Sequence, residues 1–239
     1  MVADLHACWP WMNAARITRI VARANALGGD LIVLLGDYAA HIPFAPQLPR
    51  AQVAGLLGQL TVPLGGWAVQ GNHDWYDTMD AGQRQPPVWE EALTAQGITV
   101  LENTTTQLSH GDTRIALAGL GSQRAFKRTH QLPRRGVDDL DGTLKDLDPT
   151  LSTILLAHAP DVFADMPAQV DLTLSGHTPG GQIRHFGHAP VDPSRFGSRY
   201  AYGHIRERDR DLVVSGGLGC TTLPIRLGMP PELTVVEVT

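Results

Sequence analysis

The chain has 239 residues, 43% of them hydrophobic and 18% charged, which is enough to bury a large core as one domain spanning 1–239. A net charge of -5 excludes attraction to nucleic acid or anionic lipid through the whole-molecule field, so phosphate chemistry has to come from a local site. Two cysteines, Cys8 and Cys220, exclude a disulfide framework, no apolar run approaches the roughly 18–20 residues of a membrane span, and the start MVADLHACWP has no signal-peptide pattern. The sequence therefore reads as a soluble, cytoplasmic protein.

In chain order, the first signal is DLH at 4–6, preceded by only three residues where a strand of about five or six is usual. The first strand reads as cut short, and peripheral membrane association is expected only through a further N-terminal segment. Residues 13–27 carry Ile17, Ile20, Val21 and Ala24 at helical spacing, with Gly28 and Gly29 as a stop, and 52–60 and 88–96 read the same way. The apolar runs 31–35, 66–70, 114–119, 151–157 and 170–174 have the length and Val/Ile/Leu content of buried strands. Beyond Gly181, the short runs 211–215 and 233–238 predict an added β layer. The segment 121–136, with Arg124, Lys127, Arg128, Arg134 and Arg135, is the best candidate for a long functional loop.

Four apolar runs end alike: LIVLLGD at Asp37, WAVQGNHD at Asn72, His73 and Asp74, ILLAHAP at His158, and LTLSGH at His177, with Asp4 and His6 making a fifth case. Taken singly, Asp37 can be a turn cap, His158 a satisfied core histidine and Gly71-Asn72 a turn dipeptide. Together they place Asp, His and Asn side chains at the carboxyl ends of strands, where open α/β sheets bind ligands. Oxygen and imidazole groups of this kind suit divalent first-row metals, and burying them without a cation leaves polar groups unpaired.

In order and spacing these motifs resemble the calcineurin-like metallophosphoesterases: DLH (4–6), GD (36–37), GNHD (71–74), AH (157–158) and GHTP (176–179). The closing segment, GGQI and then VVSGGLGCTTLPIRLGMPPEL, is similar to the branch of bacterial membrane-associated phosphodiesterases and diacylglucosamine pyrophosphatases. The resemblance implies a four-layer αββα sandwich of two mixed β-sheets flanked by helices. It implies two divalent ions, Mn, Fe or Zn: Asp4 and His6 on the first, Asp37 bridging, and Asn72, His158 and His177 on the second. His73 would donate a proton to the leaving group, oriented by Asp74. The implied reaction is hydrolysis of a phosphate ester, most readily a diester, by in-line attack of water.

The pattern breaks at Pro179, where the family has a histidine on the first metal. Proline offers no donor, so the first site lacks one protein ligand and is weaker or differently completed. His185, His188, His204 and Cys8 are the nearest substitutes along the chain, water or substrate is a second route, and a one-metal homologue of low activity is a third. A phosphomonoesterase, a pyrophosphohydrolase and a silent metal-binding protein stay open beside the phosphodiesterase. The partner is a phosphate-ester small molecule, a nucleotide or a lipid head group. Trp9, Pro10, Trp11 and Met12 either form an apolar lip or anchor the first helix; the cluster His185, His188, Arg195, Arg199 and Tyr202 would border the cleft.

Overall fold

Helix α1 (Ala14–Ala26) starts where Asn13, in an extended conformation, accepts a hydrogen bond from Arg16 N–H at 3.0 Å, satisfying one free donor of the first turn. It buries Ile17, Val21 and Ala24 on one face and gives way to Gly28 at φ 64°, close to the expected limits. The computed structural model describes residues 1–76, 79–80, 83–84, 88–126, 135–184 and 194–238. After α1 come β1 (Ile32–Leu34), α2 (Arg50–Leu57), β2 (Gly66–Ala68), α3 (Asn72–Tyr76), β3 (Met79–Asp80), β4 (Gln83–Arg84), α4 (Val88–Thr94) and β5 (Thr99–Val100). The second half supplies β6 (Thr104–His110), β7 (Thr113–Gly119), α5 (Leu140–Leu144), β8 (Ser152–Leu156), β9 (Leu172–Ser175), β10 (Gly203–Glu207) and β11 (Arg210–Val214).

Two sheets result. The smaller is parallel, in the order β1-β2-β5, and Val2 joins it through a parallel bridge to Leu34. The larger has the order β10-β11-β9-β8-β7-β6, with β7, β8, β9 and β11 parallel and β6 and β10 antiparallel at its edges. β3 and β4 pair with each other.

Period-two alternation sorts the side chains into layers. On β1, Val33 faces the larger sheet together with Leu35 beyond its end, and both meet Leu117, Ile154, Leu156 and Leu174 there. Leu34 points the other way, onto Ile17 and Val21 of α1, Val53 and Leu57 of α2 and Trp89 of α4. The far face of the larger sheet, with Leu155, Leu212 and Val214, is covered by Leu144 of α5 and by Phe163 and Tyr200 from short 3₁₀ turns. Each such aliphatic side chain contributes about 1.5–3 kcal/mol on burial, so the αββα stack is held at three apolar seams.

Two expectations for the C-terminal part need correction. Instead of founding a separate layer, β11 pairs in parallel with β9, and the β10–β11 hairpin extends the larger sheet. Residues 233–238 form no strand; Val235 and Val238 are exposed, and the Thr234 carbonyl is used singly, accepting the Met1 ammonium at 2.8 Å.

Candidate metal centre at the strand ends

The loops after β1 and β2 touch because glycine stands at both. Gly36 adopts φ 88°, and a Cβ there would strike the backbone of Gly71; a Cβ on Gly71 would strike the Asp37 carboxylate. The Asp74 carboxylate then clasps the two loops, with Oδ2 accepting N–H groups of Asp37 and Gly71 at 2.8 Å and Oδ1 accepting that of Ala39 at 3.0 Å. Asp4, His6, Asp37 and His177 all stand in the left-handed region, at φ 51°, 46°, 57° and 71°. That conformation costs on the order of 1 kcal/mol or more per residue and concentrates where the surroundings enforce a functional geometry.

Asp37 is the centre. Its Oδ2 lies 3.7 Å from His6 Nε2 and its Oδ1 lies 3.4 Å from His158 Nε2, with all three side chains buried. Each imidazole is tied from behind by Nδ1, His6 to the carbonyl of Ala39 at 3.1 Å and His158 to that of Leu35 at 2.7 Å. A carbonyl at Nδ1 fixes a proton there and turns the Nε2 lone pair inward, as in metal-binding histidines whose outer nitrogen is anchored. His177 sits between His158 and Arg124, with Nδ1 3.0 Å from His158 Nε2 and Nε2 2.6 Å from Arg124 Nη1. Among the described residues, two groups of side chains offer ligand atoms within 4.8 Å of one another: His6, Asp37 and His73, and Asp37, His158 and His177.

Charge in this pocket is poorly solvated: burial holds the ring of His6 below its ordinary value, that of His177 well below it, and that of His73 down at about 3. Burial, with Asp37 adding to it, pushes Asp4 up to about 7, and the same two causes push Asp74 up to about 8. Burial opposes a charged His158, but the charge and hydrogen bond of Asp37, with Asp4, outweigh it and raise the ring to about 9. Burial also works against Asp37 ionising; the charges of His158, His73 and His6 overcome it and hold the carboxylate well below its ordinary range. The cluster thus draws positive charge, which a proton on His158 supplies in part and a divalent cation supplies more fully. Asn72 carries a matching signal, because its buried Oδ1 finds no hydrogen-bond partner among the described residues. An orphaned carbonyl-type oxygen beside imidazole and carboxylate is the donor chemistry a first-row cation takes.

All six metal candidates therefore end in one buried place, though not on equal terms. Both oxygens of Asp4 accept the His177 N–H at 3.0 Å, and Asp4 falls outside both ligand groups. The expected pairing of His73 with Asp74 needs correction: the Asp74 oxygens are taken by three backbone donors, and the ring partner of His73 is His41, Nδ1 to Nδ1 at 3.0 Å. Sequence reasoning missed His41, four positions after Asp37 and in no motif.

Pro179 is buried at the start of a 3₁₀ turn, Pro179–Gly181. His204 is at the surface, 2.6 Å from Asp211, and Cys8 packs with Ala40, Ile42 and Cys220, so neither takes the place of the absent histidine. Arg195, Arg199 and Tyr202 are hydrogen-bonded to Asp165, Glu207 and Glu232. Lys127, Arg128, Arg134, His185 and His188 lie outside the described residues. Met12 is buried in the core, whereas Trp9 and Trp11 are exposed, and Trp9 N–H bonds the Pro46 carbonyl at 2.9 Å.

The family model for calcineurin-like phosphoesterases matches residues 1–181. The chain belongs to this family. An uncharacterized metallophosphoesterase of Bacillus subtilis, YkuE, is 34% identical over 220 residues, covering 90% of this chain and 70% of that protein. The phosphodiesterase YaeI of Escherichia coli is 30% identical over 232 residues, with 91% and 75% coverage. A zebrafish transmembrane protein with a metallophosphoesterase domain is 29% identical over 243 residues, and the phosphoesterase chain spans 51% of its length. Among solved structures, the phosphopantetheinyl hydrolase PptH of Mycobacterium tuberculosis shares the fold, with a TM-score of 0.50, 12% identity and coverage of 90% and 88%. No helix among the described residues is long and apolar enough to cross a membrane.

Proposed function

We propose that the chain works as a single-domain, metal-dependent phosphodiesterase that uses two divalent cations, Mn, Fe or Zn, on either side of Asp37. The observation that carries this reading is the pair of histidines facing opposite oxygens of one buried carboxylate, His6 at 3.7 Å and His158 at 3.4 Å, each anchored at Nδ1 by a backbone carbonyl. Asp37 is then the shared ligand, His6 with Asp4 belongs to one side, and His158, His177 and Asn72 belong to the other. Bound cations supply an activated water and neutralise the charge that develops on the phosphoryl oxygens.

The chain's own groups do the rest. Asp74 locks the Asp37 and Gly71 loops so that the shared carboxylate keeps its orientation. Arg124, which reaches His177, offers planar donors for a non-bridging phosphoryl oxygen. Delivery of a proton to the departing alkoxide is assigned to the half-buried imidazole pair His73–His41, a role that burial of the His73 ring, held down at about 3, works against. Preference for a diester draws support from YaeI, a named phosphodiesterase at 30% identity.

Hydrolysis of bis(4-nitrophenyl) phosphate and 4-nitrophenyl phosphate, each with added Mn(II), Fe(II) or Zn(II), tests the proposal. A higher kcat/KM on the diester is expected. Activity on the monoester alone overturns the diester assignment, and activity on neither overturns the enzyme.

A further inference from the structure

We propose that in this chain His73 supplies the ligand that Pro179 cannot, so that the cation on the His6 side of Asp37 is held by His6, Asp37 and His73, with His41 positioning the His73 ring. The inference rests on the metal-dependent reading above and changes two residues within it: His73 moves from proton delivery to ligand, and Asp4 leaves the ligand set. Six observations carry it. His6, Asp37 and His73 bring ligand atoms within 4.8 Å of one another, a set that does not include Asp4. Asp4 instead directs both carboxylate oxygens to the His177 N–H, at 3.0 Å each.

The backbone of His73 is fixed to the shared ligand, its N–H donating to Asp37 Oδ1 at 2.9 Å. Its ring is boxed by His6 at 4.8 Å, His41 at 5.0 Å and Tyr76 at 5.4 Å between centroids, which leaves little rotational freedom to lose on binding. The Nδ1 contact to His41 at 3.0 Å repeats the arrangement of His6 and His158, whose Nδ1 atoms are also held from outside, and makes Nε2 the ligand atom. The polar neighbours of Pro179 along the chain are committed elsewhere: Thr178 Oγ1 donates to the Ala201 carbonyl at 2.7 Å, and Gln182 donates to the Leu223 carbonyl and accepts from Thr221 N–H, both at 2.7 Å. A ligand lost on one side of the cation is thus replaced from the opposite loop.

The test is titration of metal-stripped full-length protein with Mn(II) alone, read by calorimetry and by metal content after gel filtration. Wild type is expected to take two ions. His73→Ala and the bulkier His73→Gln should each keep one ion at wild-type affinity and weaken the other at least about tenfold, and His41→Gln should weaken that same ion by about tenfold or somewhat less. Adding Pro179→His to His73→Ala should restore the second ion, a recovery that an unfolded variant cannot show. Two ions at wild-type affinity in both His73 variants overturn this assignment and leave the metal-dependent reading intact. A wild type that takes no Mn(II) overturns both.

Discussion

The two sides of Asp37 begin alike and are finished differently. On each, an imidazole tied at Nδ1 to a carbonyl turns Nε2 toward one carboxylate oxygen. The His158 side is rooted in the larger sheet: His158 follows β8, His177 follows β9, and the orphaned Asn72 oxygen completes it. The His6 side hangs on residues 2–7, which are held by two isolated bridges, Val2 to Leu34 and Ala7 to Ala39, and by single backbone hydrogen bonds to the loop after β1 and to Leu218 and Gly219, and its further imidazoles, His73 and His41, are only half-buried. A site rooted in paired strands is pre-organised at little cost, whereas one built from loops has to order them on binding. The difference predicts one tight and one exchangeable ion.

Removing what the sides share has the largest effect. Asp37→Ala is expected to empty both sites and lower diester turnover by more than about a thousandfold, beyond what loss of one transition-state donor costs. Metal analysis beside the rate decides it; a variant that keeps one ion breaks the symmetry on which the comparison stands.

Protons compete with the cations, and the sign follows from the buried acids. Asp4 and Asp74 stand at about 7 and about 8 in the folded chain against an ordinary 3.8, so between pH 4 and 8 the folded state holds protons that the unfolded state has released. Below pH 6.5 the rings of His6, His73 and His177, which burial holds under their ordinary value, act in the opposite direction, so stability of metal-stripped protein should fall as pH rises from about 6.5 to 8. His158 acts in the same direction, its contribution complete below 6.5 and lost as pH passes about 9. Added Mn(II) takes the protons' place, so it should raise Tm more at pH 8 than at pH 5. A metal-stripped Tm that climbs steadily from pH 6.5 to 8 would show that the acids are not buried as described.

Much of this was legible because it is periodic or local. The strand runs, the N-cap of α1 and the polar residues closing each strand follow from spacing, and strand ends converge in any sandwich of this kind. Three features were not. His41 lies on an irregular loop with no repeat to mark it, and only the packing of that loop against α3 brings it to His73. Asp74 looked like a partner for its neighbour His73, but helix geometry turned it back to the N–H groups of Gly71, Asp37 and Ala39, unsatisfied donors that a linear reading does not reveal. The run 233–238 has the composition of a strand, but pairing depends on a free neighbouring edge rather than on the run itself.

Arg124 gives the smallest and most selective probe of the comparison. Its guanidinium reaches the finished side at His177 Nε2, and it begins the basic loop that the sequence marks after β7. A charged hydrogen bond of this class is worth about 1.5–3 kcal/mol, so Arg124→Gln should raise KM for the diester roughly tenfold to a hundredfold while changing kcat much less. Because Arg124 contacts His177, any change in affinity should fall on the ion next to His177, and the exchangeable ion should keep its Mn(II) affinity. If Arg124→Gln instead lowered kcat with KM unchanged, the guanidinium would be acting on the transition state alone. If it weakened the exchangeable ion, the two sides would be coupled through more than Asp37.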